Sequence, residues 1–155
     1  MNKLLLIVIC LFSCLTGYTQ PQQIKLRMLI GYHANEKLKL HKSVNYLVFS
    51  KEREFERYFG KSFKENKPNF DHEHVIVMLT EPTREQYFLS FAETAVKAGN
   101  FIEIYCNVNK EKHLLPYTDH PIAIAAIPKY FSVNRIDFYS NEKKKLLKRV
   151  KVSAR

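Results

Sequence analysis

The sequence predicts an α+β fold, a mainly antiparallel β-sheet of about six to eight strands with one short helix packed on it. Three observations carry that expectation. Val75-Ile76-Val77-Met78-Leu79 is continuously apolar and rich in β-branched side chains, as a central strand covered on both faces requires. Other apolar runs of strand length recur between polar or glycine-bearing turns, with no internal repeat or low-complexity tract between them. Helical spacing stands out in one place, where Phe55, Tyr58 and Phe59 fall at i, i+3 and i+4.

Residues 1–19 read as an export signal, with one positive charge at Lys3, an apolar run over residues 4–12, and small or polar residues up to Thr19. An apolar segment of about 7–15 residues is too short to remain as a membrane-spanning helix. Two exits are readable. Gly17-Tyr18-Thr19 before Gln20 suits ordinary signal peptidase. Leu11-Phe12-Ser13-Cys14 approximates a lipobox, which would end the signal at residue 13 and make Cys14 the lipidated first residue. The chain is therefore expected to be exported, either periplasmic or secreted, or membrane-tethered if Cys14 is lipidated. After cleavage at Thr19 only Cys106 remains, so no intramolecular disulfide can form and a hydrophobic core must supply the stability. In a strand context, Tyr105-Cys106-Asn107, the lone thiol reads as a small buried apolar residue.

Residues 20–141 are expected to form one domain. Ile24-Lys25-Leu26-Arg27-Met28 alternates apolar and basic, so residues 24–32 suit a strand with one wet face. Residues 38–40 and 44–49 add strand material. Ser50 offers an N-cap to a helix over residues 51–59 that Gly60 ends, and so short a helix depends on burying its aromatic stripe. After Pro68 comes the central strand, and residues 87–96 and 101–108 then make a hairpin around Lys97-Ala98-Gly99-Asn100. A helical turn over residues 92–96 is the alternative reading there. Residues 122–127 and 133–138 close the domain as two strands joined through Pro128-Lys129-Tyr130.

The formal net charge is +10, and much of the excess sits in residues 142–155, a basic C-terminal tail with Lys143, Lys144, Lys145, Lys148, Arg149, Lys151 and Arg155. Such a tail reads either as a solvated, frayed terminus or as an attachment to an anionic surface: lipid headgroups, a polysaccharide or an acidic protein patch. Nucleic acid is not expected, since export separates the chain from it and no helix-turn-helix or zinc-finger spacing occurs.

No catalytic motif emerges. A Gly-x-Ser-x-Gly elbow is missing from the sequence, and Glu81, Glu85 and Glu93 read as solvated carboxylates rather than a glycosidase pair. The weak candidates for a metal are His72 and His74 in Asp71-His72-Glu73-His74, which on an extended chain would share a face. A third ligand would have to come from His113, Asp119 or His120, and no strong ligand spacing supports this, so neither metal nor cofactor is expected. With nine tyrosines and eleven phenylalanines, most aromatics must be core, with Phe49, Phe55, Phe59, Phe88, Phe91 and Phe138 expected to bury large areas. Tyr117, Tyr130 and Phe131 fall in expected loops beside His120, Lys129 and Arg135, which is the composition of a protein or glycan contact.

An ordered set of signals spans residues 44–139: a strand entering Ser50, the aromatic spacing of Phe55 to Phe59, Pro68-Asn69-Phe70-Asp71 before the central strand, and Glu81-Pro82-Thr83 after it. Later Pro121-Ile122-Ala123-Ile124-Ala125-Ala126-Ile127-Pro128 precedes the strand over residues 133–138. In this order the chain resembles the C-terminal domain of PrcB, an accessory subunit of a bacterial surface protease complex, and small exported proteins carrying that domain. The resemblance implies a noncatalytic exported binding or accessory module at the cell envelope, whose partner is a protease or another surface or secreted protein. Where that family tends to read Pro-Thr-Gly-Gly-Tyr, this chain has Pro82-Thr83-Arg84-Glu85-Gln86-Tyr87. Bulk and charge replace the glycines, which moves any recognition from backbone docking to side-chain contact. The segment is also similar to a Pro-Thr-x-Gly-Tyr loop of chagasin-like inhibitors, which implies an exported peptidase inhibitor as the alternative. A metal-dependent hydrolase using the histidine segment is third. The expected binding residues are Pro82, Thr83, Arg84 and Tyr87, together with Tyr117, His120, Lys129 and Tyr130.

Overall fold

The computed structural model describes residues 20–35, 38, 40, 43–61 and 66–153. The signal, its two exits and Cys14 lie outside these residues. Among the described residues 62% of the structure is strand and one helix contributes 6%, so the α+β reading holds with the sheet dominant. Twelve strands are present among the described residues rather than six to eight. The excess arises where the chain leaves one sheet for another and so divides residues 22–34 into three strands, where residues 83–98 make two, and where residues 59–61 and 146–151 add strands of their own.

The first such crossing is at Leu26. The alternating run expected to be one strand divides into β1 (Gln22–Lys25), β2 (Arg27–Met28) and β3 (Tyr32–Ala34). β1 joins one sheet and β2 another, while Ile24 and Leu26 are both buried in the core between them. Leu38 and Leu40 are not in a strand and instead lie partly buried against the second core. β4 (Val44–Phe49) follows, then α1 (Glu52–Tyr58), β5 (Phe59–Lys61), β6 (Glu73–Thr80), β7 (Thr83–Phe91), β8 (Thr94–Ala98), β9 (Phe101–Asp119), β10 (Ile122–Pro128), β11 (Arg135–Ser140) and β12 (Leu146–Lys151).

Three layers result. The first sheet has the order β1-β8-β9-β11-β12, with β7 also paired to β9. The second runs β2-β10-β6-β4, and β3 pairs with β5 in a small ribbon. Ile76 and Met78 of β6 face Ile102, Ile104, Ile136 and Phe138 of the first sheet, while Val75, Val77 and Leu79 face the aromatic layer of α1 and the ribbon. β6 is buried from His74 to Thr80, so its unbroken apolar run reflects cover on both faces. Pairing is antiparallel except between β9 and β11, which run parallel.

The aromatic stripe behaves as its spacing predicts. Phe55 is 2% exposed and meets Tyr32, Phe49, Phe59 and Phe70 with ring centroids 4.9–5.7 Å apart. The ends of the helix differ from expectation. Lys51, not Ser50, occupies the N-cap and supplies no side-chain bond. Ser50 is drawn elsewhere: its Oγ lies 2.9 Å from His74 Nδ1, and its carbonyl accepts a hydrogen bond from Lys129 Nζ. The helix stops at Tyr58 because Phe59 is already extended and starts β5. There Gly60 pairs with His33, whose imidazole ring a Cβ at that position would strike.

Residues 94–98 form strand, not a helical turn, and β8 returns into β9 through Gly99, whose φ of +57° suits the turn. The basic segment does not stand apart as a tail. Leu146–Lys151 is β12, paired antiparallel with β11, with Leu147 and Val150 packed on the main core and Val152 buried in it. Its spaced apolar side chains have a core to cover, which a frayed end would lack.

Candidate functional site

β6 and β10 pair in the second sheet, and both of their neighbours in sequence, β7 and β9, pair in the first. The paired strands therefore bend together from one sheet into the other. Glu81-Pro82 makes the corner on one strand and His120-Pro121 on the other, and Thr80 N donates to Pro121 O at 3.1 Å between them. Proline has no N–H to give a ladder, so a Pro at each corner suits the break. Beyond the corners β7 and β9 form an arch that reaches the body of the first sheet where Phe91 faces Cys106.

The arch is irregular. Between the pairs Thr83–Asp119 and Tyr87–Lys110, four residue steps on β7 face nine on β9, with register shifts on both sides of Glu85. β9 thus bulges outwards, and residues 108–119 are exposed apart from the half-buried Leu115. Arg84 clamps the bulge by donating from Nε to Leu115 O at 3.0 Å. Thr83 Oγ1 accepts from Glu85 N at 3.0 Å. Glu85 receives Lys110 Nζ at 2.6 Å and the Tyr87 hydroxyl at 3.2 Å, and Lys110 also lies 5.6 Å from the centroid of the Tyr87 ring. The Lys110 hydrogen bond, opposed by some desolvation and aided by Tyr87, holds the Glu85 carboxyl below its ordinary pKa and raises that of Lys110.

Six of the expected binding residues, Pro82, Thr83, Arg84, Tyr87, Tyr117 and His120, therefore share one arch, although they lie in paired strands and corners rather than in free loops. In particular, residues 83–87 are strand, so the inhibitor-like loop is not formed there. Tyr117 is 60% exposed. His120 donates from its backbone N to Asp119 Oδ1 at 2.8 Å, and its buried Nε2 has no hydrogen-bond partner among the described residues.

Lys129 and Tyr130 lie elsewhere, past the far end of β10. Lys129 Nζ bridges the carbonyls of Ser50 and Phe70, tying the start of α1 to the turn before β6. Tyr130 packs on the main core with Lys97 Nζ 5.4 Å from its ring centroid. Both are structural contacts in this setting.

The histidine pair is also separated. His72 is in the exposed turn before β6, where strand alternation does not apply, whereas His74 is buried beside Ser50. His113 and Asp119 belong to the arch at the other end of β6, and His113 Nδ1 lies 3.3 Å from Glu111. Among the described residues no group of three or more His, Cys, Asp or Glu side chains is placed to hold a metal ion. Burial of Cys106 pushes its thiol up to about 12, which leaves little thiolate at neutral pH. No helix among the described residues is long and apolar enough to cross a membrane.

Sequence reasoning missed Val108 and Leu114, 36% and 63% exposed on the same arch, and placed Phe88 in the core, whereas it is 51% exposed there. The available signal was Leu114-Leu115 directly after the charged run Lys110-Glu111-Lys112-His113, a pair of leucines that a solvated loop does not need. Compared with protein-family models, curated proteins and solved structures, the chain matches none.

Proposed function

We propose that the chain is a noncatalytic, exported binding module of the bacterial cell envelope that engages a protein partner through the arch of β7 and β9. The partner is a protease or another surface or secreted protein. One observation carries this reading: Phe88, Leu114 and Tyr117, each more than half exposed, lie on one irregular pair of strands with Arg84 and Tyr87. Tyrosine and arginine are among the side chains that dominate the binding energy of protein interfaces. The resemblance to the PrcB C-terminal domain points to the same class of function. The internal bonds of Arg84 and Glu85 favour it further, because a recognition surface held in shape loses less entropy on binding.

The test is an affinity pull-down from envelope and secreted fractions with the mature protein and with the variant Leu114→Ser/Tyr117→Ser. Recovery of a specific protein by the first and not by the second supports the reading. Equal recovery by both, or none by either, refutes it.

A further inference from the structure

β9 changes character halfway along its length. Over residues 101–106 it is flanked on one side by β8 and the end of β7, and on the other by β11. β11 ends at Ser140, opposite Cys106, and Asn141 N closes the Cys106 carbonyl at 2.9 Å as the chain turns away. From residue 107 onwards β9 has β7 alone as a ladder partner among the described residues.

The direction of the backbone groups on the other edge follows from alternation. Tyr105 O accepts from Ala92 N at 2.8 Å on the β7–β8 side, and Cys106 O points to the β11 side. Successive residues turn their N–H and C=O to opposite edges, so Val108 and Lys110 aim theirs at the open one. An open edge of this kind is a template for another strand.

A cleft of about 500 Å³ lies alongside, lined by Tyr46, Asn107, Val108, Lys143 and Lys145 among others, with Glu142 the one carboxylate in its lining. Asn141 Nδ2 donates to Asn107 Oδ1 at 3.0 Å and fixes one end. Lys144 is held by Asn141 Oδ1 and by the Tyr105 ring, whereas Lys143 and Lys145 make no ion pair among the described residues. The same lysines that keep a second copy of a chain with net charge +10 from pairing here would attract a strand of opposite charge.

We propose that the partner docks by strand addition: an extended acidic segment pairs with Val108 and Lys110 on the open edge of β9 and sets its carboxylates against Lys143 and Lys145. This rests on the reading of the chain as a protein-binding module, and it adds the partner's chemistry and the backbone edge that receives it.

The probe is a short peptide of alternating glutamate and valine, titrated into the mature protein while amide resonances are followed. Three comparison ligands are used: the alternating lysine peptide, the acidic peptide N-methylated at every second amide, and phosphatidylglycerol vesicles. Strand addition predicts saturable binding of the acidic peptide, with the amides of Val108 and Lys110 among those that shift. It also predicts binding at least about tenfold weaker after N-methylation or with Lys143→Glu/Lys145→Glu, which is a loss of one good interaction or more. Equal binding of the N-methylated peptide overturns the proposal in favour of simple charge attraction. Binding to vesicles but not to peptide overturns it in favour of a lipid surface, and concentration-dependent shifts without peptide overturn it in favour of a second copy. Should the acidic peptide fail while the pull-down still recovers a protein that depends on Leu114 and Tyr117, strand addition is wrong and the binding module stands. Failure of both removes the module as well.

Discussion

Arg149 of β12 lies directly across the ladder from Asp137 of β11, with its Nε 3.0 Å from Oδ1 and Nη2 3.3 Å from Oδ2. Asp137 is fully buried, and Arg135 Nε approaches its second oxygen at 3.1 Å. A carboxylate in such a place needs compensation, and one of its two cations comes from the basic C-terminal segment. That segment is therefore part of the fold before it is anything else. Replacing Asp137→Asn should destabilise the protein by about 1.5–3 kcal/mol, the range for hydrogen bonds to charged groups. Urea melts would measure it, and a midpoint equal to wild type would show that the arginines are held by other contacts.

Removal of residues 146–155 should lower the melting temperature markedly, because it strips β12 from β11 and uncovers Ile136 and Phe138. A truncated protein as stable as the full chain would return this segment to the status of an accessory tail.

Phe55→Ala should cost about 3–5 kcal/mol, the usual loss for a large aromatic removed from a packed core. The side chain is 2% exposed among four other rings, and the helix has only seven residues, so little else holds it to the sheet. Calorimetry should show the lower melting temperature.

Arg27 and Glu73 form a two-point pair, Nε to Oε1 at 3.1 Å and Nη2 to Oε2 at 2.6 Å, linking β2 to β6 across β10. Burial opposes ionisation of Glu73, but the Arg27 hydrogen bonds, the Asn69 N–H and the Arg27 charge outweigh it and leave its carboxyl below the ordinary value of 4.5. A depressed carboxyl contributes stability that is fully present above the unfolded value and lost as pH falls through the lower folded one. Glu73→Gln should therefore flatten part of the acid limb of stability as pH falls below the ordinary carboxyl value of 4.5. An unchanged acid limb would place the effect in other carboxylates.

Cys106 should resist thiol reagents in the folded protein and react promptly in denaturant, since it is 2% exposed and its thiol is pushed up to about 12. Rapid modification at neutral pH without loss of fold would contradict the packing of β9 against the main core.

The most legible parts of the chain were those fixed by local pattern. The run around Val77 announced a strand covered twice, Phe55 and Tyr58 announced a helix held by aromatic burial, and Gly99-Asn100 announced a hairpin. What pattern could not reveal depends on distant partners. Nothing near Leu26 says that the chain changes sheets there, since Ile24 and Leu26 keep facing one core while their backbones pair with β8 and, one residue later, β10. The outer half of β9 was hidden because Lys110-Glu111-Lys112-His113 lacks apolar alternation, and it is extended through its pairing with β7 and not through burial. Likewise Leu147 and Val150 stand three apart among cations, and only the ladder to β11 makes a strand of them. Of the candidate site, Tyr117 could be selected from composition, and Arg84 and Tyr87 from the resemblance of their segment to a family loop. Their union on one arch, and the remoteness of Lys129 and Tyr130, required the path of β6 to β10.

The most direct test of the arch as a recognition surface is site-specific photocrosslinking in cells, with benzoylphenylalanine placed at Tyr117 or, for comparison, at Phe131. Phe131 is 82% exposed in the turn after β10, at the opposite end of the sheet from the arch. A recognition surface on the arch predicts a discrete crosslinked protein from position 117 and none from position 131. The same product from both positions, or a product from 131 alone, would contradict it.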